Sequence, residues 1–191
     1  MKSRYKILNT YVNAMTMEET IEEVEQIIRN GIPTQHVVIN ALKVNLMEED
    51  KKLQDIVNAC PLINADGASI IWAAKKMGIP LTERVTGCDL FQNLVSVAAE
   101  KGYKIFLFGA KEDVVVKVKE IYENLYPNIK IVGYRNGYFT EDDEAEIVKQ
   151  MKESEGVTEH LKEENQMEWV CQMQNIEARA REVVTTELIY T

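Results

Sequence analysis

The chain has 191 residues, 46% hydrophobic and 28% charged, enough to bury the core of one ordinary domain and too apolar for a disordered segment. Its net charge of −9 at pH 7 argues against a nucleic-acid binder, which would normally show a basic face, so no nucleic-acid partner is expected. The charge is uneven: residues 1–152 carry 19 basic and 22 acidic side chains, residues 153–191 carry 3 and 9.

In chain order, the opening Tyr5–Thr16 alternates enough to be a strand or hairpin. Thr16-Met-Glu-Glu19 is a capping box. The helix it starts carries an apolar stripe of Ile21, Val24, Ile27 and Ile28, and Gly31 and Pro33 stop it. His36–Ile39 reads as a short buried strand. One helix is expected over Ala41–Asn58, with Leu42, Leu46, Leu53, Ile56 and Val57 packing inward. Pro61–Gly67 is a brief strand ending in Asp66 and Gly67, followed by helices over 68–77 and 88–101. Lys104–Phe108 is the clearest buried strand, stopped by Gly109 and followed by a helix over 111–125. Asn128–Val132 is a further strand, and 133–139 is turn-rich. Alternating strands and helices predict an α/β fold: a Rossmann-like, mostly parallel sheet flanked by helices, with a C-terminal helical tail.

The three cysteines, Cys60, Cys88 and Cys171, form no C-x-x-C pair, and His36 and His160 are the only histidines. That is too sparse for zinc, so no metal is expected and the thiols read as reduced, in a cytoplasmic protein. The N-terminus lacks the apolar run of a secretory leader. No stretch approaches the roughly 20 apolar residues of a membrane span, so any membrane contact is expected from the surface.

In open α/β sheets ligands gather at the carboxyl ends of strands. Three junctions fit. Asn40 follows a strand, though it could equally cap the next helix. Asp66-Gly67 follows another, though an Asp-Gly pair is also an ordinary turn. Phe108-Gly109-Ala-Lys111 is a strand–glycine–helix junction whose backbone N–H groups could face a phosphate, without any glycine-rich phosphate-loop spacing. Arg84, in Thr82–Gly87, is either a site cation or a surface ion-pair partner.

The segments VVINALKVNLM (37–47), LINADGASIIWAAKKMGIPLTERVTGCDLF (62–91), KIFLFGAKEDVVVKV (104–118) and IVGYRNGYF (131–139) occur in order. Together they resemble the WecG/TagA/CpsF glycosyltransferases, particularly the teichoic-acid linkage-unit enzymes. The resemblance implies transfer of N-acetylmannosamine from a UDP-sugar donor, with inversion, to the N-acetylglucosamine 4-hydroxyl of a lipid-linked acceptor on undecaprenyl diphosphate. It implies a cytoplasmic protein, peripheral at the inner face of the cell membrane, that uses no metal and no cofactor. Self-association as a homo-oligomer stays open.

The resemblance also suggests roles. Asp66 matches the family's general base, needed because a sugar hydroxyl is a poor nucleophile. Arg84 fits the cation that holds diphosphate charge. Asn40 occupies the asparagine of the family's T-x-N motif, whose threonine position is Val38 here. Gly67, Gly109 and Lys111 complete the expected substrate-binding set. There is no D-x-D motif; Asp142 and Asp143 are adjacent at an acidic helix start.

The family would continue through a strand and a Gly-Ser-Pro-x-Gln-Glu motif to a basic appendage, neither of which these residues contain. Residues 1–152 therefore read as a glycosyltransferase core, truncated relative to the family. Residues 153–191 read as an acidic helical tail resembling TnpV-type transposon-encoded proteins. Leu161, Met167, Val170, Met173, Ile176, Ala180, Val183 and Val184 are its expected packing positions. Two other readings follow: an inactive remnant fused to a mobile-element fragment, or a transposon-associated interaction protein.

Overall fold

The computed structural model describes residues 3–138, 143–155, 157–170, 172–174 and 176–177, which fall in two compact units, Met1–Leu94 and Val95–Thr191. Asp142, Ala180, Val183 and Val184, singled out above, lie outside the described residues.

In the first unit, β1 (Arg4–Ile7) and β2 (Thr10–Asn13) form an antiparallel hairpin. Its turn places Leu8 at φ +52, a left-handed conformation that costs a non-glycine residue roughly 1–2 kcal/mol. Neighbouring helices hold the turn. Asn9 Nδ2 donates to the Val44 carbonyl and the Glu48 carboxylate, each at 3.0 Å, and the Asn9 carbonyl accepts from Gln54 Nε2 at 3.0 Å. Helix α1 (Met17–Asn30) starts on the expected capping box and ends at Gly31, φ +64.

Strands β3 (His36–Ile39) and β4 (Leu62–Ala65) pair in parallel, His36 opposite Leu62 and Ile39 opposite Ala65. The hairpin joins β4 through a side chain: Asn13 Oδ1 accepts from the Ile63 N–H at 2.8 Å, where a backbone carbonyl would otherwise serve. The single helix expected over 41–58 is instead two, α2 (Ala41–Glu49) and α3 (Lys51–Ala59). Asp50 breaks it: its N–H donates to the Leu46 carbonyl at 2.9 Å, and its Oδ1 accepts from the Leu53 N–H at 2.9 Å, ending one helix and capping the next. The break resets the helical phase. Val44 and Met47 face the core, while Leu42 and Leu46, expected inside, are exposed. Helix α4 (Ala68–Lys76) follows, then the irregular stretch leading to α5 (Gly87–Lys101), within which the unit boundary falls.

In the second unit β5 (Lys104–Phe108) and β6 (Lys130–Arg135) pair in parallel across α6 (Glu112–Leu125). The α/β character holds, with the parallel strands in two-stranded pieces among the described residues. Strand β6 runs past the expected Val132 to Arg135, with a register shift on the way: Ile105 faces Ile131, but Phe106 faces Gly133. A Cβ on Gly133 would sit 2.5 Å from Phe106 Cε2, so the ring occupies the space that a side chain would need. Gly133→Ala should therefore destabilise the protein by about 1–3 kcal/mol, the usual cost of overpacking, read as a lowered denaturant midpoint. An unchanged midpoint would show that the ring moves aside without cost.

Beyond α7 (Glu144–Glu155) the described part of the tail is helical as expected, in pieces: α8 (Glu159–Glu164) and further turns over 166–170. Asn165 makes the break, donating its N–H to the Leu161 carbonyl and accepting from the Glu168 N–H with Oδ1. Ile176 is fully buried and Leu161 and Met173 half-buried, but Met167 and Val170, expected inside, are exposed, Met167 by 81%. Glu159 binds Lys152 at 3.1 Å and Lys162 at 3.3 Å, and both ammonium groups lie over the Trp169 ring. Those hydrogen bonds hold the Glu159 carboxyl below its ordinary range.

Candidate functional site

The carboxyl edge of β3 and β4 gathers three of the expected residues. The Asp66 N–H donates to the Ile39 carbonyl at 2.9 Å, extending the ladder one step past β4 and fixing Asp66 beside Asn40. Asn40 caps α2, its Oδ1 accepting from the Lys43 N–H at 2.9 Å. The cap uses the oxygen, so contact with a ligand would run through the amide nitrogen. Gly67 lets the two chain turns meet: a Cβ there would lie 3.3 Å from Asn40 Cβ and 3.2 Å from Ser69 Oγ. It also leaves the start of α4 without a side-chain cap.

The Thr82–Thr86 stretch reaches the same edge, because the Val85 N–H donates to the Ala65 carbonyl at 2.9 Å. Val85 is buried beneath it and Arg84 is exposed, a long cationic side chain based one residue from that anchor. Among the described residues no carboxylate pairs with Arg84. Val38, at the threonine position of T-x-N, turns a methyl to Gly87, whose added Cβ would sit 3.5 Å away.

Gly109 and Lys111 belong to the second unit and are described within it. Gly109 has φ +123 and Ala110 φ +59, a turn open to glycine and strained for alanine. The Gly109 N–H donates to the Arg135 carbonyl, and the Gly137 N–H to the Ala110 carbonyl. Lys111 caps α6 with no side-chain bond. Glu112 and Asp113 in the first turn already offset the positive helix end, which weakens this junction as a phosphate seat. Arg135, at the carboxyl end of β6, is held by Gln150 at 3.1 Å and Asp143 at 3.4 Å.

Sequence reasoning missed a polar line behind β4. Asn64 is wholly buried; its Oδ1 lies 2.8 Å from His36 Nε2, and its Nδ2 donates to Thr20 Oγ1 at 3.0 Å. Thr20 in turn donates to the Thr16 carbonyl at 2.8 Å. With the Asn64 carbonyl facing it, His36 must donate, which selects the tautomer protonated at Nε2. Burial pushes the His36 pKa below its ordinary 6.5, aided by nearby Lys43 and opposed by the Asn64 hydrogen bond. The one available signal was an asparagine inside an otherwise apolar strand.

A cavity of about 350 Å³ opens at the amino ends of β3 and β4, lined by Ile27, Ile32, Pro33, Pro61 and Leu62 among others. Glu23 is the one ionisable group among the described residues lining it. Asp66 and Asn40 sit at the opposite, carboxyl ends of the same strands. Among the described residues no three His, Cys, Asp or Glu side chains cluster as a metal site requires, and no helix is long and apolar enough to cross a membrane.

Residues 5–156 match the profile of the glycosyl transferase WecG/TagA/CpsF family. Residues 139–189 match that of the transposon-encoded protein TnpV, overlapping the first match over 139–156. An N-acetylglucosaminyldiphosphoundecaprenol N-acetyl-beta-D-mannosaminyltransferase of Bacillus subtilis (strain 168) is 37% identical over 90 residues. That alignment covers 47% of this chain and 35% of the relative, so the chain spans about a third of that protein's length.

Proposed function

This chain belongs to the WecG/TagA/CpsF glycosyltransferase family, and on that premise we propose that it transfers N-acetylmannosamine from UDP-N-acetylmannosamine to a lipid-linked N-acetylglucosamine, with inversion. The observation that carries the reading is the carboxyl edge of β3 and β4, where one backbone bond sets Asp66 beside Asn40 and another ties the Arg84 stretch to Ala65. In the step proposed, the acceptor hydroxyl oxygen attacks the anomeric carbon and its proton passes to the Asp66 carboxylate. The bond from that carbon to the β-phosphate oxygen breaks, and UDP leaves with the electron pair. Arg84 offers a fork of donors to the diphosphate charge of donor or acceptor, without a metal ion. Asn40 holds a sugar hydroxyl through its amide nitrogen. The chain works at the inner face of the cell membrane, and residues 153–191 are a tail of separate origin on a core of residues 1–152.

The test is UDP release on mixing the protein with UDP-N-acetylmannosamine and a soluble acceptor analogue. Arg84→Ala should raise KM and lower kcat together, with about 10–100-fold lost from kcat/KM, the worth of one hydrogen bond to a charged group. A folded protein that releases no UDP, or an Arg84→Ala variant as active as the parent, would sink the reading.

A further inference from the structure

We propose that the outward face of α4 is a membrane-contact surface that seats the chain on an anionic lipid layer next to Asp66; the inference rests on the reading above, in which the acceptor is lipid-linked. Helix α4 buries Ile70 and Ala74 and turns Ser69, Trp72, Lys75 and Lys76 outward. These positions, three and four apart, share one stripe. Trp72 is 65% exposed and Met77, just past the helix end, 50%. An indole gains little from water alone, but its apolar body and polar N–H suit the headgroup layer of a bilayer.

The charge on this face runs against the rest of the chain. Residues 68–76 hold two lysines and no acid, in a protein of net charge −9. Lys76 Nζ lies 5.7 Å from the Trp72 ring centroid, so cation and indole already form one unit. Two lysines in a last turn also suit the negative end of a helix, but that role asks for no exposed tryptophan between them and the site. Position completes the case. The helix starts two residues after Asp66, and at 1.5 Å per residue its nine residues extend only about 14 Å from that start. A sugar on a lipid diphosphate is tethered to the headgroup plane, so a lipid-facing surface has to be this near the base.

Co-sedimentation of the full chain with vesicles tests the inference, with no sugar donor present. The protein should bind mixed phosphatidylglycerol–phosphatidylcholine vesicles, bind phosphatidylcholine alone more weakly, and be released by salt. Each lysine removed should weaken anionic binding about fivefold, so Lys75→Gln with Lys76→Gln should cost about 25-fold. Trp72→Ala should weaken binding to both vesicle types. The exposed pair Lys51 and Lys52 on α3 is the control: Lys51→Gln with Lys52→Gln should change binding less than twofold. No binding by the parent chain, or an equal loss in the α3 control, would overturn the proposal. So would a parent chain that self-associates in sedimentation velocity and becomes monomeric with Trp72→Ala, since the face would then serve a second copy. Vesicle binding needs no turnover, so its failure leaves the transferase reading standing, and failed UDP release leaves the vesicle result intact.

Discussion

Replacing Asp66 with Asn should lower turnover by about 10²–10⁴-fold, the usual contribution of a general base, with UDP affinity nearly unchanged. The substitution keeps the side chain's shape and removes only its capacity to accept a proton. The contact that sets position 66 is its backbone N–H to the Ile39 carbonyl, which Asn retains. Gly67 and Asn40 are likewise untouched, so the edge should keep its form. Single-turnover UDP release measures the first effect and titration calorimetry with UDP the second. Robust turnover by Asp66→Asn would assign the base elsewhere. A parallel loss of UDP affinity would mean that the carboxylate holds ligand and does not merely take the proton.

Asn64→Ala should cost about 2–4 kcal/mol of stability, because it removes a buried amide whose two ends are both in use. Thr20, wholly buried, and the half-buried His36 would each lose a partner. The same line makes stability depend on pH. The folded pKa of His36 is lowered, so the native state favours the neutral ring. As pH falls through 6.5 the unfolded chain takes up the proton first, and stability is lost until the lower folded pKa is reached. Above 6.5 this contribution is fully present. Denaturant unfolding between pH 7.5 and 5.5 should therefore show a falling midpoint, flattened in His36→Gln. A midpoint equally pH-dependent in His36→Gln would place the proton uptake on other groups.

What was legible in the sequence was local. The capping box at Thr16, the stop at Gly31 and the strand 104–108 depend on residues within a turn of one another, and they stand where the pattern placed them. The adjacency of Asn40, Asp66 and Gly67 followed from one rule about strand ends, given that β3 and β4 pair in parallel. Where two local signals competed, the reading failed. Asp50 was absorbed into a long apolar periodicity, although an aspartate is also a strong helix start, and the cap won. Leu42 and Leu46 then went to the wrong face. Long-range roles were out of reach. Nothing within ten residues of Asn64 announces that His36 and Thr20 will meet its amide, and nothing near Gly133 announces the ring of Phe106.

The pairing order of the first unit has a consequence for synthesis on the ribosome. Among the described residues its strand ladders pair sequence neighbours, β1 with β2 and then β3 with β4 across α2 and α3, and the hairpin meets β4 through Asn13. Ala65 completes the last of these ladders, and the Val85 anchor closes the edge. Translation runs from the N-terminus at about 5–20 residues per second, so several seconds separate Val85 from the acidic tail. The Asn40–Asp66 edge can thus assemble on the nascent chain before any residue of the tail exists. A different sequence past residue 152 would leave that early folding step chemically unchanged.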